Sequence, residues 1–95
     1  MAGRPVSWPA MNHLISVEIS LYPLTPDFKP PILEFIARLR ANPQLTIVSN
    51  TMSTQIQGDY DEVWDTLKRE MRPNLTGAYR VVFATKFMGP VESGL

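Results

Sequence analysis

The chain has 95 residues, the size of a single domain, and its 44% hydrophobic and 19% charged residues are ordinary for a globular protein. Nine Lys and Arg residues balance nine Asp and Glu residues, so no basic surplus favours nucleic acid as a partner. The absence of cysteine excludes disulfides and Cys-based redox or metal sites, and a single histidine, His13, disfavours a His-based catalytic metal site.

The N-terminal residues 1–12 (MAGRPVSWPAMN) lack the apolar segment of a signal peptide, and no stretch has the length of a transmembrane helix. We therefore expect a cytoplasmic protein that does not bind membranes. Residues 1–12 are predicted to form a flexible arm, residues 13–90 the domain and residues 91–95 a loose C-terminus. Because an exposed Trp8 would be costly, it is expected to pack on the domain or on a neighbouring subunit.

Residues 13–22 alternate between polar and apolar side chains, which predicts a half-buried first strand with Ile15, Val17, Ile19 and Leu21 on the apolar face. Proline-rich residues 22–26 end it. Helical spacing of apolar residues over 28–39 then predicts a helix with Asp27 as its N-cap. Two prolines in its first turn are tolerable, and residues 42–43 (Asn-Pro) end it.

Residues 45–49 and 52–57 are predicted to form a hairpin around a turn at residues 50–51. The second helix follows, with Asp59 and Glu62 as a pair resembling a capping box and with an ending at residues 72–74 (Arg-Pro-Asn). Residues 78–88 form the last strand. On the third strand, one of two sets of residues faces away from the helices, either Met52, Thr54 and Ile56 or Ser53, Gln55 and Gln57. Periodicity alone does not distinguish between them.

The resulting order β-α-β-β-α-β predicts an α+β, ferredoxin-like sandwich. Right-handed crossovers give a four-stranded antiparallel sheet of order 4-1-3-2 with both helices on one face. The other face of the sheet is left uncovered by the chain itself. A small core and an uncovered sheet face favour self-association into a dimer or a tetramer.

Several activities found on this fold are excluded by the residues that they require. The loop after the first strand has no glycine to cradle a phosphate, cysteines for a metal chaperone are missing, and the third strand has no aromatic side chain to stack RNA bases. No histidine is implied beside a candidate nucleophile. We therefore expect a binding protein without catalytic residues, metal or cofactor.

Two separated motifs resemble a known family. Residues 20–24 (SLYPL) end the first strand, and residues 52–59 (MSTQIQGD) run into 61–63 (DEV). In this order they are similar to the YkoF-like thiamine-binding family, over residues 13–88. The resemblance implies a ferredoxin-like fold, association through sheets into dimers or tetramers, and binding of thiamine or its hydroxymethylpyrimidine part without catalysis.

Thiamine is a cation with an aminopyrimidine ring, and it suits aromatic faces together with hydroxyl, amide and carboxylate partners. The candidate ligand-binding residues are Glu18, Ser20, Tyr22, Asn50, Met52, Ser53, Thr54 and Phe87. Glu18 would serve as a counter-charge for the ligand. The alternative function is a structural or regulatory oligomerisation module that binds another small metabolite such as an amino acid.

Overall fold

The structure, a computed structural model, describes residues 13–91. Its elements are β1 (Leu14–Pro23), α1 (Lys29–Arg40), β2 (Thr46–Ser49), β3 (Thr54–Asp59), α2 (Tyr60–Leu75) and β4 (Val81–Met88). The strands form one antiparallel sheet in the order β2-β3-β1-β4, which is the predicted order read from the opposite edge. The ferredoxin-like prediction is thereby confirmed. The predicted arm with Trp8, and the last four residues of the predicted tail, lie outside the described residues.

The core lies between the sheet and the two helices. Alternation along β1 sends Val17, Ile19 and Leu21 to the helix side, where all three are buried. They pack in one buried cluster with side chains from the other elements: Phe35, Leu39, Leu45, Ile56, Val63 and Leu67. The apolar face predicted for the first strand is therefore the face that the helices cover.

Pairing between β1 and β3 decides which face of the sheet Thr54 occupies. Thr54 lies opposite Ile19, and residues directly opposite each other project to the same face. Thr54 is 5% exposed and Ile56 is fully buried, so both face the helices. The arrangement in which these residues face away from the helices is wrong.

The face of the sheet opposite the helices, called the open face below, carries the alternate residues of all four strands, of which Ser16 and Gln57 are buried. Their identities follow from the pairing of each strand with its neighbours: Ser16, Glu18, Ser20, Tyr22, Thr46, Val48, Gln55, Gln57, Val82, Ala84, Lys86 and Met88. Val48, Val82 and Met88 are exposed. The open face is thus a mixed surface of hydroxyl, amide, charged and apolar side chains.

The start of α1 differs from the prediction. The N-cap is Phe28 rather than Asp27, and no side chain caps the helix. A capping side chain normally accepts from the N–H groups of the second and third helical residues, which here are Pro30 and Pro31. Because neither proline has an N–H, a carboxylate at the cap position would find no partner there. Instead, the two prolines favour the start of the helix, because their rings hold φ near the helical value.

The start of α2 follows the prediction in part. Asp59 is the N-cap, and its side chain accepts from the Asp61 N–H at 3.1 Å. Glu62 does not complete the predicted pair, because its Oε2 accepts from Asn42 Nδ2 at 2.6 Å, across from the end of α1. The predicted capping box is therefore a single aspartate cap.

The end of α2 lies beyond its predicted position. The helix runs through Pro73 to Leu75. So close to the C-terminus, the proline removes only its own hydrogen bond, and the Thr76 N–H still reaches the Arg72 carbonyl at 3.0 Å. In the described part of the chain, neither helix combines the length and the apolar character needed to cross a lipid bilayer.

Candidate functional site

A cavity of about 410 Å³ opens between α1, the second half of β1 and the β2–β3 loop. Phe28, Ile32, Phe35 and Ile36 contribute the helix wall. Its volume lies within the range of small-molecule sites. This cavity, called the hairpin pocket below, has mostly apolar walls because it continues the core between the helix and the sheet.

Two hydroxyls face each other in the wall of the hairpin pocket. Ser49 and Thr54 are paired across β2 and β3, and Ser49 Oγ lies 3.0 Å from Thr54 Oγ1. One hydroxyl hydrogen joins the two oxygens, so the second hydrogen and the remaining lone pairs stay available to a ligand. The pair can both donate to and accept from a heterocycle that enters the pocket.

Asn50 organises the loop that borders the pocket. Its Oδ1 accepts from the N–H groups of Met52 at 2.8 Å and of Ser53 at 3.1 Å, while its own N–H donates to the Ser53 carbonyl at 3.0 Å. Such bonds stabilise a tight loop. Met52 is 82% exposed at the tip, and Ser20 Oγ donates to its carbonyl at 3.3 Å. Asn50 therefore acts on the pocket by shaping its rim.

Glu18 lies on the open face, outside the hairpin pocket. Its Oε2 accepts from Ser53 Oγ at 3.0 Å, and its Oε1 lies 3.8 Å from Lys86 Nζ. The Glu18 side chain is 44% exposed, so the ion pair with Lys86 contributes little to stability. Among the described residues, Ser53, which also lines the pocket, hydrogen-bonds this carboxylate and connects it to the site.

Phe87 lies at a different place from the other candidates. It pairs with Val17 and therefore faces the helices, where its ring stacks on Trp64 of α2 with centroids 4.7 Å apart and planes 8° apart. The two rings border a second groove between α2 and β4. Phe87 thus takes no part in the hairpin pocket.

Six of the eight predicted site residues line the hairpin pocket, namely Ser20, Tyr22, Asn50, Met52, Ser53 and Thr54. Sequence reasoning missed Ser49 and the wall formed by α1. The apolar spacing of α1 had indicated a core-facing stripe, and nothing in that pattern separates a side chain that fills the core from one that lines a cavity. The predicted turn at residues 50–51 would pair Ser49 with Met52, whereas the structure has a loop of residues 50–53 that pairs Ser49 with Thr54.

The sequence profile of the YKOF-related family matches residues 14–87 of this chain. No curated protein sequence matches it significantly.

Several solved structures share the fold. A Thermotoga maritima protein, named for a proposed role in thiamine biosynthesis or salvage, is 19% identical with a TM-score of 0.72, covering 81% of this chain and 84% of its own. A hypothetical protein from Methanocaldococcus jannascii is 23% identical with a TM-score of 0.72 and 86% of each chain covered. A Streptococcus pneumoniae protein is 24% identical with a TM-score of 0.74, covering 82% and 88%.

Proposed function

This chain belongs to the YKOF-related family, and from that premise we propose that it is a non-catalytic binding protein for thiamine or its hydroxymethylpyrimidine part. The observation that carries the proposal is the hairpin pocket, an apolar cavity of about 410 Å³ with the Ser49–Thr54 hydroxyl pair in its wall. The Thermotoga maritima protein of similar structure, whose name refers to thiamine biosynthesis or salvage, supports the same class of ligand.

The aminopyrimidine ring suits the inner part of the hairpin pocket. The ring is flat and presents an amino donor beside ring nitrogen acceptors, and the paired hydroxyls of Ser49 and Thr54 can satisfy both kinds of group. Phe35 backs this wall from within the core, where it is 2% exposed and packs against Phe83, so the aromatic faces open to a ligand are those of Tyr22 and Phe28. Burial of the ring without these hydroxyls would leave its polar groups unpaired, at a cost of about 1–3 kcal/mol each.

The thiazolium ring carries a positive charge and suits the rim. Tyr22 and Phe28 line the pocket and are 54% and 48% exposed, so both can offer an aromatic face to a cation that remains in contact with water. Glu18 can contribute only at longer range, through Ser53. The charge of the ligand is therefore met by aromatic surface more than by the predicted carboxylate.

The absence of catalysis is part of the proposal. Among the described residues that line the pocket, the possible nucleophiles are hydroxyls of serine, threonine and tyrosine, and none of these lining residues is histidine, lysine or a carboxylate. A serine or threonine hydroxyl needs an adjacent base to become a nucleophile. Turnover of thiamine by the purified protein would contradict this part.

The direct test is a thermal-shift series with thiamine, hydroxymethylpyrimidine and the common amino acids, followed by calorimetric titration. A ligand at a hundred times its dissociation constant adds about 2.7 kcal/mol to stability, which for a domain of this size raises Tm by roughly 10 °C or more. We expect this shift with thiamine or hydroxymethylpyrimidine. A shift with an amino acid alone would establish the alternative, regulatory function.

We also propose that the protein self-associates through the open face. This surface faces away from both helices and includes the exposed apolar side chains of Val48, Val82 and Met88. Exposed apolar surface of this kind is commonly covered by a partner.

A further inference from the structure

We infer that the hairpin pocket takes only the unphosphorylated form of its ligand and rejects phosphate esters. The inference rests on the proposed function and adds the substrate class. None of the described residues that line the pocket carries a positive charge. A phosphate at the rim would gain no ion pair from these residues and would lie near the aromatic faces of Tyr22 and Phe28, which attract cations and repel anions.

The N-terminus of α1 lies beside the pocket but lacks donors that a helix N-terminus would normally offer to a phosphate. Phe28 and Ile32, which flank the first turn of α1, both line the pocket. A helix N-terminus usually binds anions through its free backbone N–H groups. In α1, two of the four positions that would supply those groups are Pro30 and Pro31, and proline has no N–H. The prolines therefore remove half of the donors that a phosphate would need.

The side chains around this turn do not restore an anion site. Asp27 and Lys29 flank the N-cap with opposite charges, and both are exposed outside the pocket lining. Glu18, whose carboxylate accepts from Ser53 of the pocket lining, would repel a phosphate on that side. A neutral or cationic ligand meets none of these penalties, so the same pocket accepts the alcohol and rejects its ester.

The experiment compares four ligands on the full chain by calorimetric titration: thiamine, thiamine monophosphate, hydroxymethylpyrimidine and its phosphate. We expect each phosphate ester to bind at least roughly tenfold more weakly than its alcohol. In the double variant Pro30→Ala with Pro31→Ala, two N–H donors return, and the affinity for the esters should rise several-fold while the affinity for thiamine stays unchanged. Pro43→Ala, beyond the opposite end of α1, is the matched control and should leave all four affinities unchanged.

The unchanged affinity of the double variant for thiamine also shows that its pocket is intact. Binding of thiamine and its monophosphate within twofold of each other by the wild-type protein would overturn the inference and leave the proposed function standing. Tight binding of the esters alone would overturn the inference as well. Failure of all four ligands to bind would overturn the proposed function and this inference with it. An unchanged preference in the double variant would refute the role of the prolines.

Discussion

At the scale of single residues, the wall of the hairpin pocket contains a pair of hydroxyls, those of Ser49 and Thr54, which lie on different strands. Thr54 faces the helices because it pairs with Ile19, and Ser49 meets it across β2 and β3. Ser20, by contrast, donates to the Met52 carbonyl and holds the loop. Among the hydroxyls that line the pocket, those of Ser49 and Thr54 form the pair that we propose to contact the ligand.

Replacement of this pair, Ser49→Ala with Thr54→Val, should weaken thiamine binding by roughly tenfold to a few hundredfold, because a buried ligand group left unpaired costs about 1–3 kcal/mol. Valine keeps the shape and the strand preference of threonine, so the fold should persist. Calorimetric titration measures the effect. Ser20→Ala is the control and should change affinity much less. Equal affinities for the double variant and the wild-type protein would place the ligand elsewhere.

Gly58 occupies a position where β3 approaches its neighbours closely. A Cβ atom there would lie 2.5 Å from Leu45 Cδ2 and 3.3 Å from Val63 Cγ2, and both of these side chains belong to the core. Gly58→Ala should therefore destabilise the fold by about 1–3 kcal/mol through overpacking. Urea unfolding measures it. In a Leu45→Ala background the added cost should shrink, and an equal cost in both backgrounds would contradict the proposed clash.

At the scale of the elements, the two helices begin in different ways and are joined at their other ends. The Asp59 side chain caps α2, while α1 has no side-chain cap. Arg38 near the end of α1 donates through Nη2 to the Glu70 carbonyl at 2.9 Å and to Asn74 Oδ1 at 2.7 Å. Arg38 thus connects the last turn of α1 directly to α2.

The two aspartates that were predicted as N-caps make a matched pair of tests. Asp59→Ala should lower the free energy of unfolding by about 0.5–2 kcal/mol, because it removes an N-cap acceptor. Asp59→Asn should lower it much less, since asparagine caps comparably well. Asp27→Ala should lie within about 0.5 kcal/mol of the wild-type value, because Asp27 is exposed and makes no cap. Chemical denaturation provides all three values, and equal losses at both aspartates would contradict the assignment.

At the scale of the whole molecule, the open face is the side of the sheet that neither of the described helices covers. Its two central charged residues, Glu18 and Lys86, lie opposite each other with side-chain atoms 3.8 Å apart. If a second copy covers this face, each charge keeps its partner, which makes burial tolerable. The surface is therefore compatible with a sheet-to-sheet contact between two copies.

We expect the protein to sediment at micromolar concentration as a dimer or tetramer of its 10.7 kDa chain. Val82→Glu places a new charge on the open face and should shift the equilibrium toward monomer. Leu33→Glu is the control, because Leu33 is 65% exposed on α1, and it should leave the assembly unchanged. A wild-type protein that sediments only as a monomer would refute self-association.

The order of the elements and the fold could be predicted from the amino-acid sequence because they depend on local patterns. The period-two alternation of β1 marks its buried face, and the apolar spacing in α2 marks Val63 and Leu67 as core residues. Because the connections between such elements are short and their crossovers are right-handed, few topologies are possible. Element ends were less predictable, because a proline such as Pro73 does not end a helix that has only one turn left.

The arrangement of the candidate site was decided by tertiary structure. Thr54 could have faced either side of the sheet, and only its register against Ile19 turned it toward the helices. Glu18 and Ser53 were predicted as parts of one site, and Ser53 does donate to the Glu18 carboxylate at 3.0 Å, yet of the two only Ser53 lines the pocket. The sequence by itself determined which elements form. Because a pocket joins side chains from segments distant in the chain, its composition follows only from how those elements pack.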